Sequence, residues 1–272
     1  MHTLCMEKYF SADSQPFALY VSDPERNNCE HSHEFDELVF VESGHGLHVL
    51  NGQPSFVQQG DVFFVHGQES HFYDRLGTLR LTNLLINTRR PLRYLSNLQP
   101  LLNGINRPPD QQPGWLTPQE RLACRQTIAR LTAPSSDALL DDAAREVVWL
   151  ELLLSLHRSL SSASRGHTHF KAHRLIHWLQ ANCFEEIDWD TLCSHFLLSK
   201  RTLYRQVKEI TGLSPHQFIR KQRLLAARVW LRSGEASVTD IAFRCGFSSS
   251  NHFSSSYKNL FGYAPSQEPL QP

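Results

Sequence analysis

The feature that most constrains this chain is a repeat of its own sequence. "LCSHFLLSKRTLYRQVKEITGLSP" begins at Leu192 and "IAFRCGFSSSNHFSSSYKNLFGYAP" begins at Ile241. Leu192–Cys193 match Ile241–Ala242, and Ser199 matches Ser248, each 49 apart. Past the turn the offset is 50, pairing Leu203 with Phe253, Val207 with Tyr257 and Lys208 with Lys258. Gly212 and Pro215 match Gly262 and Pro265 at the same offset. One extra residue in the second turn accounts for the slip.

Each copy predicts a helix, a tight turn and a second helix. Ser199, and Ser248 or Ser249, can cap the second helices by accepting an otherwise unpaired amide. Gly212 and Gly262 supply the left-handed residue that ends them. In the first copy Leu203, Val207 and Ile210 fall at i, i+4 and i+7 and predict a buried stripe, with Arg201, Arg205 and Lys208 facing solvent. The second copy buries Phe253, Tyr257 and Leu260 by the same rule and exposes Asn251, Ser255 and Lys258. On an isolated helix such charges would read as an ordinary solvated face. Here the helix is the second of a helix-turn-helix, and the unit occurs twice. In that unit the second helix enters the major groove of double-stranded DNA. Arginine bonds guanine O6 and N7 there, and asparagine bonds adenine N6 and N7.

Between the copies, "SPHQFIRKQRLLAARVWLRSG" predicts one helix, capped by Ser214, opened by Pro215 and stopped by Gly234. Leu224, Ala227 and Leu231 form its stripe. Nearly twenty residues span about 30 Å, close to the pitch of one DNA turn. Charge agrees with this division. Residues 1–170 hold 14 Lys+Arg against 19 Asp+Glu, and residues 171–272 hold 13 against 8. The net charges are −5 and +5, so the back half is the part suited to a polyanion.

The front half reads differently. "FALYVS", "ELVFV", "GLHVL", "DVFFV" and "LRLTNLLI" predict short strands between Phe17 and Ile86, and Asn51–Gly52 is a hairpin signal. So many strands in so short a span predict a small antiparallel barrel or jelly roll. The proline-rich "NRPPDQQPG" (106–114) breaks the chain. Helices are predicted over Pro118–Leu131 and from about Asp141 onward. The second of these shows apolar residues at 147, 150 and 154, beside 148 and 152, and needs a cover from the barrel or from a second subunit. "SSASRGHTH" has the small, polar, aperiodic composition of a linker. No apolar run reaches the roughly 18 residues of a membrane span, and the polar N-terminus lacks a signal-peptide core. The six scattered cysteines (5, 29, 124, 183, 193 and 245) fit reduced thiols in a cytoplasmic protein.

The stretch "SVTDIAFRCGFSSSNHFSSSYKNLFGYAP" resembles the signature of AraC/XylS-type bacterial transcription regulators. It has a small residue, Gly246–Phe247, five residues, Phe253, three residues, an aromatic and then Pro265. The resemblance extends over about residues 172–265, and "EHSHEFDELVFVESGHGLHVLNGQPSF" and "LTNLL" add a likeness to the family's L-rhamnose-responsive activators. It implies an α+β multidomain chain. Residues 1–160 would form a cupin-like β-barrel with a helical dimerisation segment, 161–171 a linker, and 172–272 an all-α domain with two helix-turn-helix motifs joined by a long helix. It also implies a homodimer that binds promoter half-sites, takes L-rhamnose or a related sugar and contacts RNA polymerase. Base contacts would fall on Arg201, Arg205 and Asn251, with Lys200, Lys208 and Lys258 positioning phosphates and Ser250 and Ser255 on the same face. Related sequences tend to carry an acidic residue at Ser249, and the tail "SQEPLQP" departs from the usual ending.

The same resemblance sharpens "HSHEFDELVFVESG". His31-x-His33-x₃-Glu37-x₆-Gly44 fits the first cupin metal motif, and His71 stands at the histidine of the second, with His66 replacing the usual proline. Three imidazoles and a carboxylate suit a divalent transition metal. Three readings stay open: direct contact with a sugar or support of its pocket, metal-assisted sensing, and catalysis by a metal-dependent dioxygenase, isomerase or epimerase. An enzyme has no use for a double DNA reader, and turnover would destroy a sensor's signal. The favoured reading is therefore an effector pocket of His31, His33, Glu37 and His71, with no catalytic role and no cofactor or resident metal. Elsewhere, His45 and His48 read as surface residues and His195 as a partly buried helix residue. Trp149, Trp178, Trp189, Trp230, Cys193 and Cys245 read as packing. Asp240 suits the start of a helix through its charge, or an exposed contact for RNA polymerase.

Overall fold

The computed structural model describes residues 2–12, 14–22, 29–74, 79–106, 115–133, 138–161, 168–234 and 236–270. It divides the chain into two compact units: Met1–Asn51 with Phe56–Arg165, and Gly166–Pro272 with Gly52–Ser55.

The front half carries strands β1 (His2–Leu4), β2 (Phe17–Ser22), β3 (His31–His33), β4 (Asp36–Ser43), β5 (His45–Leu50), β6 (Gln53–Gln58), β7 (Val62–Val65), β8 (His71–Asp74) and β9 (Arg80–Ile86). They form two sheets, ordered β1-β3-β8-β5-β6 and β2-β9-β4-β7. Among the described residues these sheets close no hydrogen-bonded barrel, and the front half is a pair of sheets. The sequence shows strand content but not closure, because closure depends on which edges pair. The Asn51–Gly52 hairpin forms between β5 and β6, with φ of 48° and 76° at its two turn residues.

Alternation sorts the side chains of the four-stranded sheet. Leu38, Phe40, Val62, Phe64 and Leu84 pack with helices α1 (Gln99–Asn103), α2 (Pro118–Thr132) and α3 (Ala138–Ser161). Val39, Val41, Val65 and Leu81 point the other way and pack with Val57 and Tyr73 of the five-stranded sheet. Helix α3 buries Val148, Trp149, Leu152, Leu153, Leu156 and Leu160. The apolar side predicted from 147, 150 and 154 is the uncovered one: Val147 is 66% and Leu154 37% exposed. Most of the proline-rich break (107–114) and of the predicted linker (162–167) lies outside the described residues.

The second unit is helical: α4 (Thr168–Ala181), α5 (Trp189–Phe196), α6 (Lys200–Thr211), α7 (Pro215–Ser233), α8 (Val238–Arg244) and α9 (Ser250–Phe261). Thus α4 begins inside the stretch read as linker. Ser214 and Gln217 close a capping box at the start of α7, and Gly234 ends it at φ 68°. Leu224, Ala227 and Leu231 of α7 pack with Ile241, Ala242, Cys245, Phe247, Phe253 and Tyr257 of the second motif. Ile210 is only half-buried, and Leu260 is exposed at 37%. Both sit late in their helices, where the packed stripe runs out, so the predicted burial of Leu260 is corrected. Trp149 is core, whereas Trp178, Trp189 and Trp230 are half-buried. Cys245 is buried and Cys193 half-buried.

The tail carries a buried ionic contact. Glu268 Oε1 accepts from Arg228 Nε at 3.1 Å and Arg232 Nε at 2.8 Å; Oε2 accepts from the Tyr257 hydroxyl at 2.5 Å and the Tyr263 hydroxyl at 2.7 Å. One carboxylate thereby joins α7, α9 and the C-terminal segment. Burial pushes its pKa up, but bonds from Tyr257, Tyr263 and Arg232 and the charge of Arg228 outweigh it and hold the group below its ordinary 4.5. The stability it supplies is therefore present above the unfolded pKa and lost as pH falls through the lower, folded one. Glu268→Ala should destabilise the helical unit by about 3 kcal/mol, the lower end for a broken buried pair, because both arginines keep some water. In urea unfolding the gap between wild type and variant should shrink between pH 6 and pH 3; a pH-independent gap would show that the carboxylate's charge is not the cause.

Candidate functional site

Two constellations stand out, one on the helical unit and one between the sheets. In the helical unit, α6 and α9 are both twelve residues long and start 50 apart. Ser199 accepts from the Thr202 amide and Ser249 from the His252 amide, so the capping serines are the pair 199 and 249 and Ser248 is the inserted residue. Gly212 and Gly262 end the helices at φ 71° and 89°. The turns match as well: Leu197, at φ 53°, takes the left-handed role that Gly246 takes at φ 75° in the second copy. A leucine there is strained by about 1 kcal/mol.

Leu203 and Val207, and Phe253 and Tyr257, are fully buried. That burial turns the opposite face of each helix to solvent: Lys200, Arg201, Arg205 and Lys208 on α6, and Asn251, Ser255 and Lys258 on α9, are exposed, with Ser250 half-buried. Arg205 makes a loose in-helix pair with Glu209 at 3.8 Å, too weak in water to hold the guanidinium back from another partner. His195 is exposed rather than partly buried, at the border of the buried stripe, with its ring edge-on to Phe196 at 4.9 Å between centroids. Ser237 caps α8 and holds Asp240, which is exposed in its first turn. Arg223 braces the unit from within, donating from Nε to the Cys183 carbonyl at 2.5 Å, from Nη1 to the Gly246 carbonyl at 2.5 Å and from Nη2 to the Glu185 carbonyl at 2.9 Å.

The second constellation comes from strand parity. His31 and His33 lie two apart on β3, and His31 stands opposite His71 of β8. His71 Nε2 lies 2.8 Å from His33 Nε2, and His33 Nε2 lies 3.6 Å from Glu37 Oε1. His31 Nδ1 sits 2.8 Å from the Cys29 carbonyl. Asn83 donates to Glu37 Oε2 at 3.5 Å. All four residues predicted for the effector pocket are brought together, none more than 4% exposed.

The fifth member was not foreseen. His48, read as a surface residue beside a glycine turn, is 3% exposed, with Nε2 2.9 Å from His71 Nδ1 and its ring stacked on Phe63 and Tyr73. Its signal was parity: it alternates with Leu50 inside an apolar run. His45 is half-buried, and His66 is directed to Asn103 and Gln99 rather than into the cluster. Burial, aided by His31, pushes the His33 pKa down to about 3; burial, aided by His31 and His33, does the same to His48. Burial also lowers His71, with His48, His33 and His31 adding to it. His33, His48 and His71 are thus held as neutral imidazoles beside a carboxylate, able to donate or accept hydrogen bonds or to offer lone pairs.

Residues 17–153 match the model of an AraC-like ligand binding domain, and residues 192–268 match that of a helix-turn-helix domain. The chain belongs to the AraC family. It is a transcription regulator with a ligand-binding and a DNA-binding domain, not an enzyme. It is 36% identical over 264 residues to the HTH-type transcriptional activator RhaS of Escherichia coli O1:K1 / APEC, covering 94% of this chain and 93% of that protein. It is also similar to the structure of an AraC-type regulator from Chromobacterium violaceum, at 33% identity, with 37% of this chain and 90% of that one covered and a TM-score of 0.35. The DNA-binding domain of AdpA in complex with a target DNA is similar at 29% identity, with 35% and 86% covered and a TM-score of 0.33. Among the described residues no helix is long and apolar enough to cross a membrane.

His48→Ala leaves a cavity and unpairs His71 Nδ1. Urea unfolding should then show a loss of about 2–3 kcal/mol; a surface histidine would give a change within about 0.5 kcal/mol.

Proposed function

We propose that this AraC-family chain is a cytoplasmic, dimeric activator of sugar-catabolism genes that responds to L-rhamnose. The observation that carries the DNA-reading part is the tandem pair of capped helices α6 and α9, each presenting a polar face while its apolar stripe is buried. Arg201 and Arg205 on α6 and Asn251 on α9 read base edges. Lys200, Lys208 and Lys258 position phosphates, and Ser250 and Ser255 complete the second face. Helix α7, nineteen residues long, spans about 28 Å, a spacer suited to two reading helices in successive major grooves. Asp240, exposed at the start of α8, is the side chain offered to RNA polymerase.

Similarity to an activator across nearly the whole chain supports activation rather than repression. The likeness of residues 30–56 to L-rhamnose-responsive members supports the effector, which is placed at the polar cluster of His31, His33, Glu37 and His71 in a cupin-like front domain. A hydroxyl-rich sugar needs such partners if none of its groups is to be buried unpaired. The dimer reading rests on α3, where Leu140, Val147 and Leu154 recur every seven residues and are 68%, 66% and 37% exposed. Heptad spacing is the pattern a second helix covers.

Three measurements test this. Arg205→Ala should lose about 1–3 kcal/mol at one base pair of the operator and relax discrimination there, whereas Lys208→Ala should weaken binding to all sequences and lower the salt slope by about one; equal loss on every sequence for Arg205→Ala would remove it from base readout. Val147→Lys with Leu154→Lys should convert a dimer to a monomer in analytical ultracentrifugation, and an unchanged mass would move the interface elsewhere. A thermal-shift titration with a sugar panel should show a saturable rise with L-rhamnose, worth about 2.7 kcal/mol at a hundredfold excess over Kd; a flat response to every sugar would overturn the effector reading.

A further inference from the structure

We propose that His31, His33 and His71 form a binding site for one divalent transition-metal ion of the zinc or nickel class, with Glu37 at its edge. The proposal does not rest on the sugar reading, since the ion needs only these side chains.

Ligand atoms of the three imidazoles all lie within 4.8 Å of one another, and all three residues are buried. Nitrogens sharing an ion tetrahedrally at about 2.0–2.1 Å stand roughly 3.3 Å apart. The 2.8 Å between His71 Nε2 and His33 Nε2 therefore needs about half an ångström of opening. The tautomers agree with a ligand role. A carbonyl can only accept, so the contact of His31 Nδ1 with Cys29 puts the proton on Nδ1 and the lone pair on Nε2. His71 Nδ1 meets His48 Nε2 at 2.9 Å, the outer hydrogen bond that orients a ligating imidazole. His48 is thus a positioning residue.

In the hydrogen-bonded cluster one proton lies between His33 Nε2 and His71 Nε2; carried instead on His71 Nδ1, which faces His48, it leaves the Nε2 lone pair of His71 free to ligate. Neutral imidazoles suit zinc, nickel, copper or iron, whereas magnesium and calcium prefer oxygen ligands. Because His31 stands opposite His71 in the ladder, a bound ion would tie β3 to β8.

The test uses untagged full-length protein, stripped with a chelator, exposed to zinc or nickel, desalted and analysed for metal by plasma mass spectrometry. One ion per chain is expected. His33→Gln and His71→Gln should each cut the retained metal at least about tenfold, as losses of ligands do, while His195→Gln, on an exposed helix face, keeps it. Cobalt loading of the wild type reads the site without any variant: visible ligand-field bands are expected, and far-UV dichroism checks that each variant is folded. Metal far below one ion per chain in the wild type, with no cobalt bands, would overturn the proposal, as would full retention in folded His33→Gln and His71→Gln. L-Rhamnose titrations of stripped and loaded protein keep the two readings apart. Absence of a sugar response in both forms would remove the sugar and leave the metal result standing.

Discussion

The second helix-turn-helix motif depends on the apolar stripe of α7, because two short helices joined by a turn cannot bury a hydrophobic face by themselves. Leu224, Ala227 and Leu231 supply the missing surface for Ile241, Phe253 and Tyr257, and α6 packs on α4 and α7. Full burial of several such side chains is worth about 1.5–3 kcal/mol apiece, well beyond what any cap contributes. Once those residues face inward, helical periodicity leaves Arg201, Arg205, Asn251 and Lys258 no place but the solvent side. The polar face is a consequence of the packing.

Polar contacts then orient what the apolar contacts hold. Arg223 gathers three backbone carbonyls from the α4–α5 connection and the second turn. Glu268 gathers two arginines and two tyrosines at the other side of α7. Each is a charge surrounded by hydrogen-bonding partners, the arrangement in which a buried ionic group is tolerated and its geometry is specified. The tail that looked uninformative as a string carries one of these two braces.

Between the sheets the same logic produces a site. Alternation on β3, β5 and β8 sends His31, His33, His48 and His71 into a low-dielectric interior, where the charged imidazolium is disfavoured. A chain of bonded rings, from His48 through His71 to His33, results.

The sequence by itself determined the double reader, because its signals are local. Caps at Ser199 and Ser214, left-handed glycines at 212, 234 and 262, and the stripe through Leu203 and Val207 all act within one or two helical turns. The strands were legible for the same reason, as was the hairpin at Asn51–Gly52; the grouping of His71 with His31, His33 and Glu37 came from the cupin resemblance. Only the tertiary structure decided how the strands share two sheets, that His48 joins the histidine cluster, that α3 turns Val147 and Leu154 outward, and that Glu268 locks the tail to α7. Those outcomes depend on partners tens to hundreds of residues away. Hydrophobic period states that a face is buried, but not which surface buries it.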